Sequence, residues 1–279
     1  MRKLKVGAAQ IECVPGDIAQ NLALHVDMIE QAKQQHVHLL VFPELSLTDY
    51  LSEPDVSRLA RSVDANEVQV LCAATRGTAV SFGLIEQADD GRVYNSQVLL
   101  VNGRIQHVHR KLNLPTYGNL KEGYFYVKGA EFTLTSLCDD WQLATLICAD
   151  SWSPGLPWLA ALKGANLLVQ PIASARGAVG GDFDNPGGWD LNLRYTCMTY
   201  GVAAVMANHC GRRDNLDFWG GSCILDANAK VLACAGEGSE LITAELDVLQ
   251  IADARLHLPT VRDSDPAFMH SQLTAIVTR

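Results

Sequence analysis

Three side chains of the kinds that make and break acyl bonds stand just beyond strand-like segments: Glu44 after HLLVF (38–42), Lys111 after IQHVH (105–109) and Cys148 after LATLI (143–147). If each segment is a strand, a carboxylate, an ammonium and a thiol occupy strand ends, where layered α/β folds hold their ligands. A thiol attacks an acyl or nitrile carbon, a carboxylate carries its proton, and an ammonium balances the oxyanion that forms. Cys148 also opens a strand-to-helix corner, whose backbone N–H groups stabilise a thiolate and an oxyanion. Each residue alone has an ordinary reading, as core thiol, solvated carboxylate or surface lysine. Their equivalent placement is what points to covalent catalysis.

The elements that must position them alternate along the chain. Residues 4–8 alternate apolar and polar as a strand does, Pro15-Gly16 breaks the pattern, and residues 21–33 place Leu22, Val26 and Ile29 on one helical face. The strand 38–42 follows, then a helical stretch at 55–71 and a strand at 80–85. Asp90-Gly91 and Asn102-Gly103 punctuate hairpins around the strand 95–101. Beyond lie strands at 143–147, 167–170, 202–207, 221–225 and 241–246, with helices at 158–163 and 191–200 closed by Gly164 and Gly201. The segments LLVF, ATLI, NLLV and VAAVM are apolar throughout, as strands covered on both faces require. With no linker or low-complexity tract, residues 1–279 read as a single α/β domain of sheets layered with helices.

The 279 residues are 48% hydrophobic and 19% charged, with a net charge of −9, which excludes disordered, collagenous and coiled-coil chains. The acidic balance and scattered Lys and Arg argue against nucleic acid as a partner. No apolar run is long enough for a signal peptide or a membrane span, so no membrane partner is expected. The eight cysteines include no C-x-x-C pair, and sit mostly in apolar surroundings as reduced thiols do, so a cytoplasmic protein is expected.

LLVFPELSLTDY, HRKLNLPTYG and LATLICADSW closely resemble the motifs of the nitrilase, or carbon–nitrogen hydrolase, superfamily. Similarity extends through VGAAQIE, NSQVLLVNGRI, LKEGYFYVKG, LLVQP, ANHCG and WGGSCILDANAKVLA. The resemblance implies a four-layer αββα sandwich and a Glu–Lys–Cys site. In that site Cys148 is the nucleophile, Glu44 the general base and Lys111 the cation facing the tetrahedral intermediate, aided by the backbone N–H of Ala149. Glu122, in LKEGYF, matches the second glutamate that orients the lysine and substrate, although Lys121 stands where an aspartate is frequent. The implied reaction is hydrolysis of a non-peptide C–N bond in a small amide or N-carbamoyl compound, through a thioester and with release of ammonia. It needs no cofactor and no metal. Relatives usually pair through the helices beside the nucleophile, so a homodimer or higher homo-oligomer is expected.

The finer reading stays open. Nitrilases of the superfamily usually carry Cys-Trp-Glu, whereas Cys148-Ala149-Asp150 leans toward the amidase-like branches. A nitrilase, or a non-catalytic scaffold of the same fold, is the alternative. Tyr50 and Trp152 are candidate pocket residues, and Trp189 either lines the pocket or packs beneath it. Asp49, if it faces the pocket, favours a cationic substrate group; Arg176, if it does, favours a carboxylate. The pairs His36/His38 and His107/His109 lack a nearby third ligand for a metal, and a Cys148–His209 pairing has no local signature.

Overall fold

The strands Leu39–Val41, Leu167–Pro171 and Ala203–Ala207 are buried at every residue, so each is covered on both faces. In the computed structural model, which describes residues 1–213 and 216–278, they belong to two six-stranded sheets. The first runs in the order Glu240–Asp247, Lys3–Gln10, Leu39–Val41, Ala79–Gln87, Val93–Val101, Arg104–Arg110. The second runs Val231–Cys234, Cys223–Leu225, Ala203–Ala207, Leu167–Pro171, Trp141–Thr145, Thr135–Cys138. Each sheet has three parallel strands at its centre and antiparallel strands outside them. A small third sheet joins Cys210–Arg213, Leu216–Trp219 and Ala175–Arg176.

Alternation within the strands sorts the core into three slabs. Leu4, Val6, Leu39 and Val41 of the first sheet meet Leu143, Leu167, Val169 and Val205 of the second between the sheets. Leu40, Val80, Phe82 and Leu84 point the other way, onto the helices Ile18–Gln34 and Asn66–Ala74. Leu168, Ala204 and Met206 do the same against the helices Gly155–Leu162 and Asn185–Tyr200. The fold is therefore the four-layer αββα sandwich. Local chemistry sets the helix limits: Asp17 accepts the Gln20 N–H (3.0 Å), Asp184 accepts the Gly187 N–H (3.1 Å), and Gly201 closes its helix in the left-handed conformation.

The helical stretch expected at 55–71 is instead two helices, Val56–Leu59 and Asn66–Ala74. The chain between them pairs through Arg61 with the far end of the Ala79–Gln87 strand, which the three-residue strand beside it leaves free. The expected strand at 143–147 begins earlier, as Trp141–Thr145. The strands Thr135–Cys138 and Val231–Cys234 and the small sheet carry no periodicity that marks them in the sequence: they are two to four residues long, and all but Ala175–Arg176 are held in hairpins with the strand next to them in the chain. The apolar stretch near the end lies in a helix, Pro266–Val277, none of whose residues is buried. Among the described residues, no helix is long and apolar enough to cross a membrane.

Candidate active site

Glu44, Lys111 and Cys148 follow strands of both sheets, and the fold brings their surroundings to one end of the sandwich. Lys111 is fully buried between two carboxylates, its Nζ 2.5 Å from Glu44 Oε1 and 2.7 Å from Glu122 Oε2. Asn95 reinforces the arrangement from the neighbouring strand: its Nδ2 donates to Glu44 Oε1 (2.7 Å) and its carbonyl accepts the Lys111 N–H (2.8 Å). Tyr50 donates its hydroxyl to Glu122 Oε1 at 3.0 Å. Glu44 Oε1 is thus held twice, while its buried Oε2 has no hydrogen-bond partner among the described residues. One oxygen anchors the carboxylate, and the other is free to take a proton.

The turn carrying Glu44 depends on a close approach. Leu45 has a φ of 51°, and its backbone lies over Gly83, whose N–H donates to Ser46 Oγ (3.1 Å) and whose carbonyl accepts the Leu47 N–H (3.1 Å). A Cβ on Gly83 would overlap the Leu45 backbone nitrogen. Gly83→Ala is therefore expected to cost about 1–3 kcal/mol of stability in denaturant unfolding, with a matching fall in turnover as Glu44 moves.

Cys148 opens the short helix Cys148–Trp152 with a φ of 44°, a left-handed backbone that turns its side chain out of the sheet. Asp150, two residues on, secures this corner. Its Oδ1 accepts the N–H groups of Leu112 (3.1 Å) and Asn113 (2.8 Å), and its Oδ2 accepts that of Ile147 (3.1 Å). One buried carboxylate thereby ties the chain just after Lys111 to the chain just before Cys148. Asp150 is not among the residues lining the cavity, so the leaning toward amides drawn from it rests on a side chain with a structural task.

The electrostatics follow from burial and these pairs. Burial, then the charge of Glu44, pushes the Cys148 thiol well above the usual cysteine range, with Lys111 pulling the other way. The resting sulfur is a thiol that needs a base, rather than a standing thiolate. For Lys111, burial alone would lower the pKa, but Glu122 and Glu44 outweigh it and hold the ammonium well above the usual lysine range. Glu122 is pushed up to about 7 by burial, against the opposing charge of Lys111.

A cavity of about 250 Å³ opens onto Cys148, with Ala149 and Glu122 in its lining. Trp189 lines it and is also buried, its Nε1 donating to Ser174 Oγ (3.1 Å). Trp152 packs edge-on against Trp189, with ring centres 5.2 Å apart, and Tyr50 forms another wall. Asp49 and Arg176 do not line this cavity; both line a larger adjoining groove of about 780 Å³, which Tyr50 and Ala178 share with it. There Arg176 pairs with Glu237 (3.1 Å) and Asp49 with Arg213.

Asp49, Arg213 and His209 form a buried network that the sequence did not suggest. Arg213 Nη2 lies 2.8 Å from Asp49 Oδ1 and 3.2 Å from His209 Nδ1, while His209 Nε2 lies 2.6 Å from the Glu44 carbonyl. Donation from Arg213 leaves Nδ1 as acceptor and Nε2–H as donor, so His209 braces the Glu44 backbone. Cys13, Asp49 and His209 have possible ligand atoms within 4.8 Å of one another, but the Arg213 guanidinium already supplies the cation there. Of the histidine pairs, His38 Nδ1 accepts the Lys5 N–H (2.9 Å) and His109 Nε2 lies 3.3 Å from Asp150 Oδ2.

Burial, joined by the charge of Arg213, lowers His209 to about 3, and burial lowers His25 to about 4. Unfolded, both titrate near 6.5, so below that pH the unfolded chain takes up protons that the folded chain refuses. Glu122 acts oppositely, because its folded pKa lies above its unfolded one, and it offsets one of the two histidines. The thermal midpoint is therefore expected to fall as pH drops from 6.5 toward 4, with net proton uptake on unfolding at intermediate pH. Calorimetry in buffers of different ionisation enthalpy checks this; a midpoint that rises over the interval counts against neutral buried histidines.

A model of the carbon–nitrogen hydrolase family matches residues 5–256. The chain belongs to that family. This carbon–nitrogen hydrolase is 30% identical over 258 residues to the glutamine-dependent NAD(+) synthetase of Thermotoga maritima, matching 89% of this chain and 43% of that protein. It thus spans under half the length of such relatives. It is 29% identical to the (R)-stereoselective amidase of a Pseudomonas species, across 93% of this chain and 91% of the amidase. The carbon–nitrogen hydrolase of Helicobacter pylori G27 superposes with a TM-score of 0.87 at 22% identity, covering 98% of both chains, a likeness of fold.

Proposed function

We propose that this carbon–nitrogen hydrolase cleaves the C–N bond of a small amide or N-carbamoyl compound through a thioester on Cys148. The observation that carries the reading is a base with one anchored and one free oxygen, paired with a buried ammonium, beside a thiol that opens onto a cavity. Glu44 Oε2 takes the thiol proton as Cys148 Sγ adds to the carbonyl carbon. The oxyanion forms facing Lys111 and the Ala149 N–H. Glu44 then delivers the proton to nitrogen, the C–N bond breaks, and ammonia leaves a thioester. Water attacks with Glu44 again taking a proton, the C–S bond breaks, and the proton returns to sulfur as the acid departs. One carboxylate serves both halves of the reaction. Glu122 holds Lys111 in line with the reacting carbon.

Ammonia release tests this across simple amides, N-carbamoyl amines and nitriles, with the intact mass of quenched enzyme read in parallel. An amide or carbamoyl compound that yields ammonia and a transient acyl adduct on Cys148 supports the reading. Turnover of nitriles alone would replace it with the nitrilase reaction.

We further propose that two copies pair through the outer helices. Leu191, Tyr195 and Met198 of the Asn185–Tyr200 helix are 71%, 54% and 50% exposed, an apolar surface that pairing would cover. A monomeric mass at micromolar concentration in light scattering would remove this proposal.

A further inference from the structure

From the cavity over Cys148 we infer that the acyl group of the substrate is compact, uncharged and apolar, so that neutral aliphatic or arylalkyl amides are preferred over amides bearing a carboxylate or an amino-acid head. The inference rests on the amidohydrolase reading above and narrows it.

Charge is the first argument. Behind Glu122, which lines the cavity, the buried ammonium of Lys111 is already matched by Glu44 at 2.5 Å and Glu122 at 2.7 Å, so it leaves no unpaired positive charge for a substrate carboxylate. Among the described residues lining the cavity there is no arginine, lysine or histidine, and the acidic one, Glu122, is turned to Lys111. Of the cations beside it, Lys128 lines a second pocket that shares Pro115, Tyr117, Ala149 and Trp152 with the cavity, and Arg176 and Arg213 line the adjoining groove. The two arginines are paired there with acids of this chain, Arg176 with Glu237 and Asp217, Arg213 with Asp49. A buried carboxylate without a partner is costly, so a charged acyl group is disfavoured by what the lining fails to offer.

Three of the polar side chains at the wall already hold hydrogen bonds within the protein. Tyr50 donates to Glu122, Ser174 accepts from Trp189, and Asn185 Nδ2 donates to the Ala175 carbonyl (2.5 Å). An amino-acid head brings a carboxylate and an ammonium, and among the described residues this lining holds hydroxyls such as that of Tyr117 but no cation to pair with the carboxylate.

Shape and surface supply the positive half. Trp152, Trp189 and Phe183 form a continuous aromatic wall, with ring centres 5.2 Å and 6.1 Å apart, and Tyr117 and Leu120 also line the cavity. The volume of about 250 Å³ equals about eight water molecules at liquid density, room for a branched chain or one aromatic ring. Each methylene that leaves water against such a wall contributes about 0.8 kcal/mol, close to fourfold in kcat/KM.

The test measures kcat/KM by ammonia release for length-matched amides: hexanamide and phenylacetamide against glutaramate and L-glutamine. The expected result is a preference of at least about 100-fold for the neutral pair. Phe183→Arg, at the mouth of the cavity, is expected to shift the ratio toward glutaramate by about tenfold or more, because it supplies the missing cation. Equal or better turnover of glutaramate or glutamine by the wild type overturns the inference while leaving the amidohydrolase reading intact. Absence of ammonia and of any acyl adduct on Cys148 with all four amides overturns both.

Discussion

Cys148→Ala is expected to lower ammonia release from the best amide by roughly 10⁴–10⁶-fold, the scale on which loss of a covalent nucleophile acts. Alanine keeps the Cβ and tolerates the same left-handed backbone as the cysteine it replaces, whose φ is 44°. The sulfur lies at an open cavity rather than in a sealed core, so its removal leaves no enclosed void, and stability should stay within about 1 kcal/mol of wild type. Asp150 still holds Ile147, Leu112 and Asn113, so the corner itself survives. The acyl adduct in the intact mass must vanish together with turnover. Turnover above about a tenth of wild type would mean that the carbon is attacked by something other than Cys148, and the assigned reaction would fall with it.

Lys111→Met carries the second large effect, and it is one of stability as well as rate. Methionine fills the volume but leaves Glu44 and Glu122 buried with no cation between them. Breaking a buried ion pair from one side typically costs about 3–5 kcal/mol, which in a chain of this size lowers the thermal midpoint by roughly 6–20 °C. The loss has a signature in pH. Without the ammonium that opposes it, the buried Glu122 carboxylate, already pushed up to about 7, is easier still to protonate when folded than when unfolded, so stability falls as pH rises and recovers as pH drops toward the normal carboxylate range. The gap between variant and wild type should therefore be widest near neutral pH and shrink toward pH 5. Adding Glu122→Gln should restore part of the stability at pH 7 without restoring turnover, because it removes one stranded charge but not the need for a cation at the oxyanion. A Lys111→Met midpoint equal to wild type at pH 7 would show that the charges are not buried as described.

Much of the fold and the centre of the candidate site was legible along the chain, for local reasons. Apolar runs such as LLV and AAVMA need cover on both faces, and Pro15-Gly16, Gly164 and Gly201 mark breaks and helix ends through their own backbone preferences. Glu44, Lys111 and Cys148 stood out because each follows a strand candidate, a position that can be recognised without knowing what lies opposite. The family resemblance added Glu122, Tyr50 and the pairing of the two sheets.

Residues whose task is defined by a partner far along the chain left no such mark. Asn95 reads as an ordinary strand residue until the hairpin register sets it between Glu44 and Lys111. Asp150 was weighed as a clue to substrate, whereas its carboxylate binds backbone N–H groups about 38 residues earlier in the chain. Gly83 matters because Leu45 crosses it, and His209 because it meets a carbonyl 165 positions away. Asp49 and Arg176 were candidates for a substrate's charge until packing turned both into the adjoining groove and gave each an internal counter-ion. Composition and periodicity are written locally, but hydrogen-bond partners, the neutralisation of charge and the walls of a cavity exist only once distant segments meet.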